Sequence, residues 1–157
     1  MPLKFNKLLA AAGFASVALA ATIAVAQDDM MTMPDVSAMS VDEIIELRQD
    51  TMKSNGGTMR GAGALSGDEA IAAGKQLQYN SQLLMELFPE GSNTGDSKAL
   101  DNIWTDNEAF MAILTDFETH AGEMIAAAEA GDADAYAAAV KAVGGQCGMC
   151  HGTYRAK

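Results

Sequence analysis

The stretch from Thr105 to Ala130, TDNEAFMAILTDFETHAGEMIAAAEA, decides the fold class of this chain. Its apolar residues recur every three or four positions, which places them on one stripe of an α-helix at 100° per residue. The stretch opens with a capping-box pattern, Thr105 followed three residues later by Glu108, and it ends before Gly131. It therefore predicts an amphipathic helix over 105–130. The stripe consists of Phe110, Ile113, Leu114, Phe117, Ala121, Met124, Ile125 and Ala128.

The same signals predict three more helices, over about 40–60, 66–88 and 133–155. Each begins at a residue that can cap a helix N-terminus. These caps are Ser40 and Ser66, each in a capping box with a Glu three residues on, and Asp132 or Asp134. No segment alternates with a period of two, so we expect no strand.

Glycine and proline predict where the helices end. The stops are Gly56-Gly57, Phe88-Pro89 with Gly91, and Gly131. Short turns join three of the helices. The link from Pro89 to Trp104 is longer, but it can still connect two helices that are adjacent in the bundle. Four amphipathic helices joined in this way predict an all-α, antiparallel four-helix bundle.

The first 26 residues have the features of a secretory signal peptide. Lys4 and Lys7 precede an uncharged run rich in alanine, and a small-x-small cleavage site ends at Ala26. An uncleaved membrane anchor is the alternative, but the run is only weakly hydrophobic and a good cleavage site follows it. We predict removal of the signal after Ala26, export to the periplasm, a flexible Met-rich lead-in over 27–39 and a folded domain over 40–157.

The C-terminal sequence Cys147-Gly148-Met149-Cys150-His151 is C-x-x-C-H, the attachment motif of c-type haem. Residues three and four apart share one face of a helix, so two thiols can bond the two vinyl groups of one porphyrin. The next residue's imidazole can then reach the iron. The motif predicts one haem c, with Cys147 and Cys150 as its thioether links and His151 as the proximal iron ligand.

Other uses of a Cys-Cys-His cluster suit this chain less well. A zinc site needs about four ligands, and His120 is the only other Cys or His. We expect His120 at the surface or at the boundary of its helix, with a proton-coupled or ligand role as the alternative. A thioredoxin-like pair opens a helix after a strand, and no strand is predicted here. A structural disulfide would leave His151 unexplained.

The first helix supplies candidates for the rest of a haem site. Arg48 lies in the middle of the apolar stripe, where a charge is costly unless it is paired. A guanidinium can hold a haem propionate in bidentate fashion, although Arg48 could instead extend outward on its aliphatic stem. Gln49 is a second propionate candidate. Met52, one turn further along, is either core filler or the distal residue over the haem, acting as sixth ligand or as a lid.

At this point the chain resembles the class II c-type cytochromes, which comprise cytochromes c′ and their low-spin, methionine-ligated relatives. The resemblance rests on Arg48-Gln49-x-x-Met52, Ile103-Trp104 and Cys147-x-x-Cys150-His151-x-x-Tyr154-Arg155. It implies a left-handed four-helix bundle with haem bound near one end and His151 as proximal ligand. It also implies Arg48 at a propionate, Met52 on the distal side, and Arg155 close to the proximal histidine.

Two function classes remain, and Met52 divides them. If its sulfur ligates iron, the haem is six-coordinate, its potential is raised and the protein is an electron carrier. If Met52 only packs over an open iron, the site suits binding of nitric oxide or carbon monoxide, as in cytochromes c′. We favour electron transfer because the flexible thioether needs little rearrangement to ligate. Neither class is an enzyme that needs a catalytic acid or base, and the chain shows no such set.

The charge of the chain bears on its partners. It has 157 residues with 21 acidic against 10 basic side chains, a net charge of -11. Loss of the first 26 residues, which hold two lysines and no acid, changes the net charge to -13. Such a charge repels phosphate backbones and excludes nucleic acid as an expected partner. It predicts docking of redox partners with basic surfaces, and no stable membrane insertion after cleavage. The resemblance adds a possible homodimer through the first two helices.

Overall fold

A computed structural model describes residues 32–157, and every element longer than one turn in this range is an α-helix. The helices are α1 (Val41–Ala62), α2 (Gly67–Glu86), α3 (Asn102–Thr105), α4 (Asn107–Ala130) and α5 (Ala133–Thr153). A 3-10 turn, Val36–Ala38, precedes α1. The four long helices confirm the predicted all-α class. The predicted signal peptide and the first five residues of the lead-in lie outside the described residues.

Two of the predicted helix starts form as the sequence indicates. Ser40 and Glu43 make both bonds of a capping box: the Ser40 hydroxyl accepts from the Glu43 N–H, and the Glu43 carboxylate accepts from the Ser40 N–H at 2.8 Å. At the start of α5 the cap is Asp132 rather than Asp134, since its carboxylate accepts from Ala135 N–H at 3.0 Å. Gly131 ends α4 with φ of +67°, a conformation that only glycine adopts cheaply.

The predictions of the other two capping boxes, at Ser66 and Thr105, are wrong. Ser66 precedes α2 but makes no side-chain cap, because Gly67 follows it with a left-handed φ of +55° and breaks the geometry that the box needs. Thr105 is the last residue of the one-turn helix α3, and α4 starts two residues later at Asn107. The turn that displaces this start buries Ile103, so packing overrides the local capping signal.

The predicted stop at Gly56-Gly57 is also wrong, since α1 continues through both glycines to Ala62. Each glycine costs about 1 kcal/mol in a helix interior. Side chains on both sides of the pair are buried, at Asn55 and Ala62, and their packing outweighs that local cost.

The long helices pack in a definite order: α1 against α2, α2 along α4, and α4 along α5. Helix α2 comes close to α4 at Gly74, where an added Cβ would lie 2.7 Å from Ile125 Cγ1. Contact between α1 and α5 is slight by comparison. The bundle therefore has a gap along one side, between its first and last long helices.

The link between α2 and α4 is tied to the end of α5. Leu100 N–H donates to Tyr154 O at 3.1 Å, and Ala156 N–H donates to Lys98 O at 2.8 Å. Ala99 and Arg155 form the isolated antiparallel bridge between them. In residues 32–157 this bridge is the only strand-like pairing, and none of the helices is long and apolar enough to span a membrane.

Candidate haem site

The gap between α1 and α5 holds two neighbouring cavities. The larger, of about 810 Å³, is lined by α1, by the link and by the end of α5. The smaller, of about 250 Å³, lies deeper and reaches α2 and α4. Both cavities are lined by Met52, Gly56, Cys150 and His151, so these four residues mark the place where the two spaces meet.

One row of residues presents α1 to the larger cavity. Arg48, Met52, Gly56 and Arg60 are spaced four apart, which puts them on one face of the helix, and all four line it. Gly56 has no side chain, and a Cβ built there would meet only Arg60 Nη1, at 4.0 Å. The glycine pair that does not end α1 thus leaves this face open beside Met52, which is itself half-buried.

The haem-attachment motif lies on the last turns of α5. Cys150 is buried and lines both cavities, whereas Cys147 is half-buried and lines the smaller one. Burial raises the pKa of both thiols, that of Cys150 to about 11. His151 lines both cavities, and burial together with the positive charge of Arg155 lowers its pKa. A lower pKa favours the neutral imidazole, which is the form that ligates a metal.

Arg48 is buried, with 5% of its surface exposed, and it does not extend into solvent. Its Nη1 donates to Leu87 O and to Ser92 Oγ, both at 3.0 Å. Its Nη2 donates to Ser92 O at 2.6 Å and to Ser97 Oγ at 2.8 Å. The guanidinium also lies 4.5 Å from the centre of the Phe88 ring. These partners belong to the link and to the end of α2, a role for Arg48 that the sequence did not indicate.

Gln49 also reaches the link, donating from Nε2 to Asp96 O at 3.4 Å, and it lines the larger cavity. The structure therefore brings Arg48, Gln49, Met52, Cys150 and His151 to one cavity, with Cys147 beside the second. His120 stands apart from both cavities on α4, where its Nδ1 lies 2.8 Å from Glu123 Oε2. Its half-buried position agrees with the predicted boundary residue.

Sequence reasoning missed part of the cavity wall. Four aromatic or aliphatic side chains line the larger cavity from the link, α4 and the tail: Phe88, Ile103, Phe110 and Tyr154. Phe110 packs edge-on against both Phe88 and Tyr154, with ring centres 4.8 and 5.1 Å apart. Lys53, Arg60 and Lys98 were also missed. The four-residue spacing along α1 was the signal that could have identified Arg60.

The residues present fit a covalently attached haem. A macrocycle bonded to Cys147 and Cys150 needs space beside both sulfurs, and the two cavities provide it. The volume of the larger cavity is within the range of volumes found for protein pockets that bury small ligands. Buried Gln146, next to Cys147, lines the smaller cavity, and its Oε1 has no hydrogen-bond partner, which is unusual for a finished core.

A helical bundle with a C-x-x-C-H motif facing a cavity of this kind defines a class of protein, the bundles that carry covalently bound haem c. Comparison with known families agrees, because the profile described as Cytochrome C′ matches residues 42–155. The chain belongs to the cytochrome c′ family, and haem c is its cofactor.

Individual relatives of the chain are named cytochrome c-556 or cytochrome c′. The chain is 36% identical over 120 residues to a cytochrome c-556 of Agrobacterium tumefaciens, covering 72% of this chain and 97% of that protein. It is similar to the crystal structure of cytochrome c′ from Thermochromatium tepidum, with a TM-score of 0.68, 27% identity and coverage of 76% and 98%. A solved cytochrome c′ with ligand-controlled dimer dissociation matches with a TM-score of 0.67 and 27% identity over 76% and 98%.

Proposed function

We propose that this protein is a periplasmic electron carrier whose haem is attached at Cys147 and Cys150, with His151 as proximal and Met52 as distal iron ligand. The observation that carries the proposal is the shared lining of both cavities by Met52 from α1 and by His151 from α5. A haem held at the two cysteines would lie between these side chains. Bound haem c supplies a one-electron ferric/ferrous couple.

The chain's own residues would hold and shield this group. Neutral His151 offers a nitrogen lone pair, and Met52 offers a soft sulfur ligand that raises the reduction potential. The aromatic wall of Phe88, Phe110 and Tyr154 would keep water from the porphyrin. Arg48 retains only its Nε–H beyond the four bonds to the link, so its propionate role would use that donor or exchange one of these bonds.

Absorption spectra of the ferric and ferrous protein test Met52 as a ligand. We expect a sulfur-to-iron charge-transfer band at the red end of the ferric spectrum and sharp low-spin ferrous bands. Met52→Ala should abolish that band and allow the ferrous protein to bind carbon monoxide.

Met59→Ala is the matched control, because Met59 lies two turns further along α1 and lines only the smaller cavity. It should leave both spectra unchanged. A broad high-spin spectrum in the unmutated protein, or a band that survives Met52→Ala, would show that Met52 is not the ligand.

The second candidate is a five-coordinate protein that binds nitric oxide or carbon monoxide. The similarity to cytochromes c′ of solved structure favours it, as does the apolar wall beside Met52 in the smaller cavity. In that case the unmutated ferrous protein binds carbon monoxide readily, and Met52→Ala changes the rate of binding rather than creating it.

Export and dimerisation complete the proposal. The N-terminal signal pattern and the family support a periplasmic location, which mass spectrometry of the mature N-terminus tests: it should begin at Gln27. A homodimer is supported by the related cytochrome c′ whose dimer dissociates under ligand control. If the protein forms a homodimer, sedimentation should give twice the monomer mass either with or without carbon monoxide.

A further inference from the structure

Basic side chains are concentrated at one place on this acidic protein. Residues 27–157 contain eight lysines and arginines, and five of them line the larger cavity. None of the 19 acidic residues in 32–157 lines it. Four of the five are exposed and form what we call the basic rim: Lys53, Arg60, Lys98 and Arg155. The fifth is buried Arg48.

The basic residues at the cavity differ in charge balance from the rest of the protein. Lys53 pairs with Asp50 at 2.7 Å and also feels the charge of Glu46, and Asp96 lies in the link next to Ser97. Two haem propionates would add two more negative charges. These five negative charges balance the five basic residues that line the cavity, four of which form the rim. The rest of the mature chain has 18 acidic and only three basic residues, so it is strongly negative, whereas the surroundings of the rim are not.

The rim also lies where a partner would approach the haem. His151 and Gly56 line the larger cavity and are exposed, so the cavity opens to solvent between α1 and the end of α5. Lys98 and Arg155 line the cavity from the two segments that the Ala99–Arg155 bridge joins. The charge felt by a docked partner is the local one, because salt at physiological strength screens charges beyond about 8 Å.

We propose that the basic rim is the docking surface for electron exchange and that it binds a redox protein with an acidic patch. This inference rests on the proposed electron-carrier function. It departs from the prediction of a basic partner, which used the net charge of -13 and took no account of where the charges lie. The acidic remainder would orient the molecule, turning the rim toward an acidic partner.

Small redox reagents of opposite charge distinguish the two possibilities. Ferricyanide, a trianion, takes one electron from the ferrous protein and becomes ferrocyanide; tris(phenanthroline)cobalt(III), a trication, takes one electron and becomes cobalt(II). If the rim controls approach, the ferricyanide rate falls by roughly threefold or more when ionic strength rises from about 10 to 200 mM. If the net charge controls approach, that rate rises with salt while the cobalt rate falls, and the rim proposal is overturned.

Charge-reversal variants of the holoprotein locate the effect. Arg60→Glu and Lys98→Glu should each slow ferricyanide by roughly three- to tenfold at low salt. Lys141→Glu is the matched control, since it changes the net charge equally from an exposed site on α5 that does not line the cavity. It should change the rate less than twofold. Equal effects of all three variants would refute a local docking surface.

A readout that involves no electron transfer is binding of hexacyanochromate(III), a paramagnetic and redox-inert trianion. We expect it to broaden amide signals around Lys98 and not those around Lys141; uniform broadening contradicts the proposal. Failure of the docking proposal can be told apart from failure of the proposed electron-carrier function. A high-spin spectrum would contradict Met52 as ligand without changing how the ferricyanide rate depends on salt. A reversed salt dependence would contradict the basic rim as docking surface without changing the spectrum.

Discussion

Replacement of Arg48 by alanine is expected to lower the free energy of unfolding by about 3–5 kcal/mol. The side chain is buried and joins α1 to the end of α2 and to the link before α3 through four hydrogen bonds. Ser92, which supplies two of the four acceptors, is fully buried. Its carbonyl and hydroxyl would be left without these donors in a place that water reaches poorly.

The magnitude comes from those contacts. A net contribution of about 1 kcal/mol for each of four hydrogen bonds gives about 4 kcal/mol. Loss of the contact between the guanidinium and the Phe88 ring adds about 0.5–1 kcal/mol. Relief of the cost of burying the charge subtracts from the sum, and that same burial lowers the pKa of the guanidinium. For a domain of this size the loss corresponds to a fall in Tm of roughly 10–15 °C.

Chemical denaturation of the holoprotein, followed by circular dichroism, measures the effect. Arg60→Ala is the control, because Arg60 lines the same cavity but is exposed, and it should change the stability by less than about 0.5 kcal/mol. Arg48→Lys keeps the positive charge but cannot reach four acceptors with one ammonium group, so we expect roughly half of the alanine effect.

The reasoning fails if Arg48→Ala is as stable as Arg60→Ala. In that case the four hydrogen bonds of Arg48 contribute nothing to stability. A full restoration of stability by Arg48→Lys would equally show that charge, and not the planar arrangement of donors, is what the link requires.

Two further substitutions test the packing and the first cap. Gly74→Ala should destabilise the protein by about 1–3 kcal/mol, because the new methyl group would meet Ile125 Cγ1 at 2.7 Å; Gly122→Ala, whose methyl group has ordinary contacts, should be neutral or stabilising by thermal denaturation. Hydrogen bonds from Ser40 lower the pKa of Glu43, so the capping box stabilises the fold at pH values above the unfolded pKa of about 4.3. That stability is lost as the pH falls through the lower folded pKa. Glu43→Gln should therefore lower Tm at pH 7, and its difference from the unmutated protein should shrink in melts below about pH 4; a constant difference would contradict the assignment.

Local signals predicted the parts of the fold that depend on neighbouring residues. The Ser40–Glu43 box, the Asp132 cap and the end of α4 at Gly131 each rest on contacts within three or four residues. The haem motif is equally local, because its spacing is set by one turn of helix. A sequence records such short-range geometry directly.

Two of the failed helix-boundary predictions have a common cause, whereas the box at Ser66 failed locally because of the left-handed Gly67. Gly56-Gly57 carries a local stop signal, and Thr105 carries a local start signal, but both were overridden by burial of residues nearby. The packing of α1 against α2 and the core outweighs the cost of each glycine in a helix, which is about 1 kcal/mol. No pattern within one helix reports what the neighbouring element will bury.

The sequence by itself determined the fold class, the covalent cofactor and the side of α1 on which Arg48 and Met52 lie. Only the tertiary structure decided that Arg48 holds the link through four hydrogen bonds and that Lys98 and Arg155 meet the basic residues of α1 at one cavity. Helical periodicity and motif spacing are properties of residues close in the chain. The meeting of residues about forty or more positions apart depends on how the helices pack and on the bridge that joins the link to the C-terminal tail.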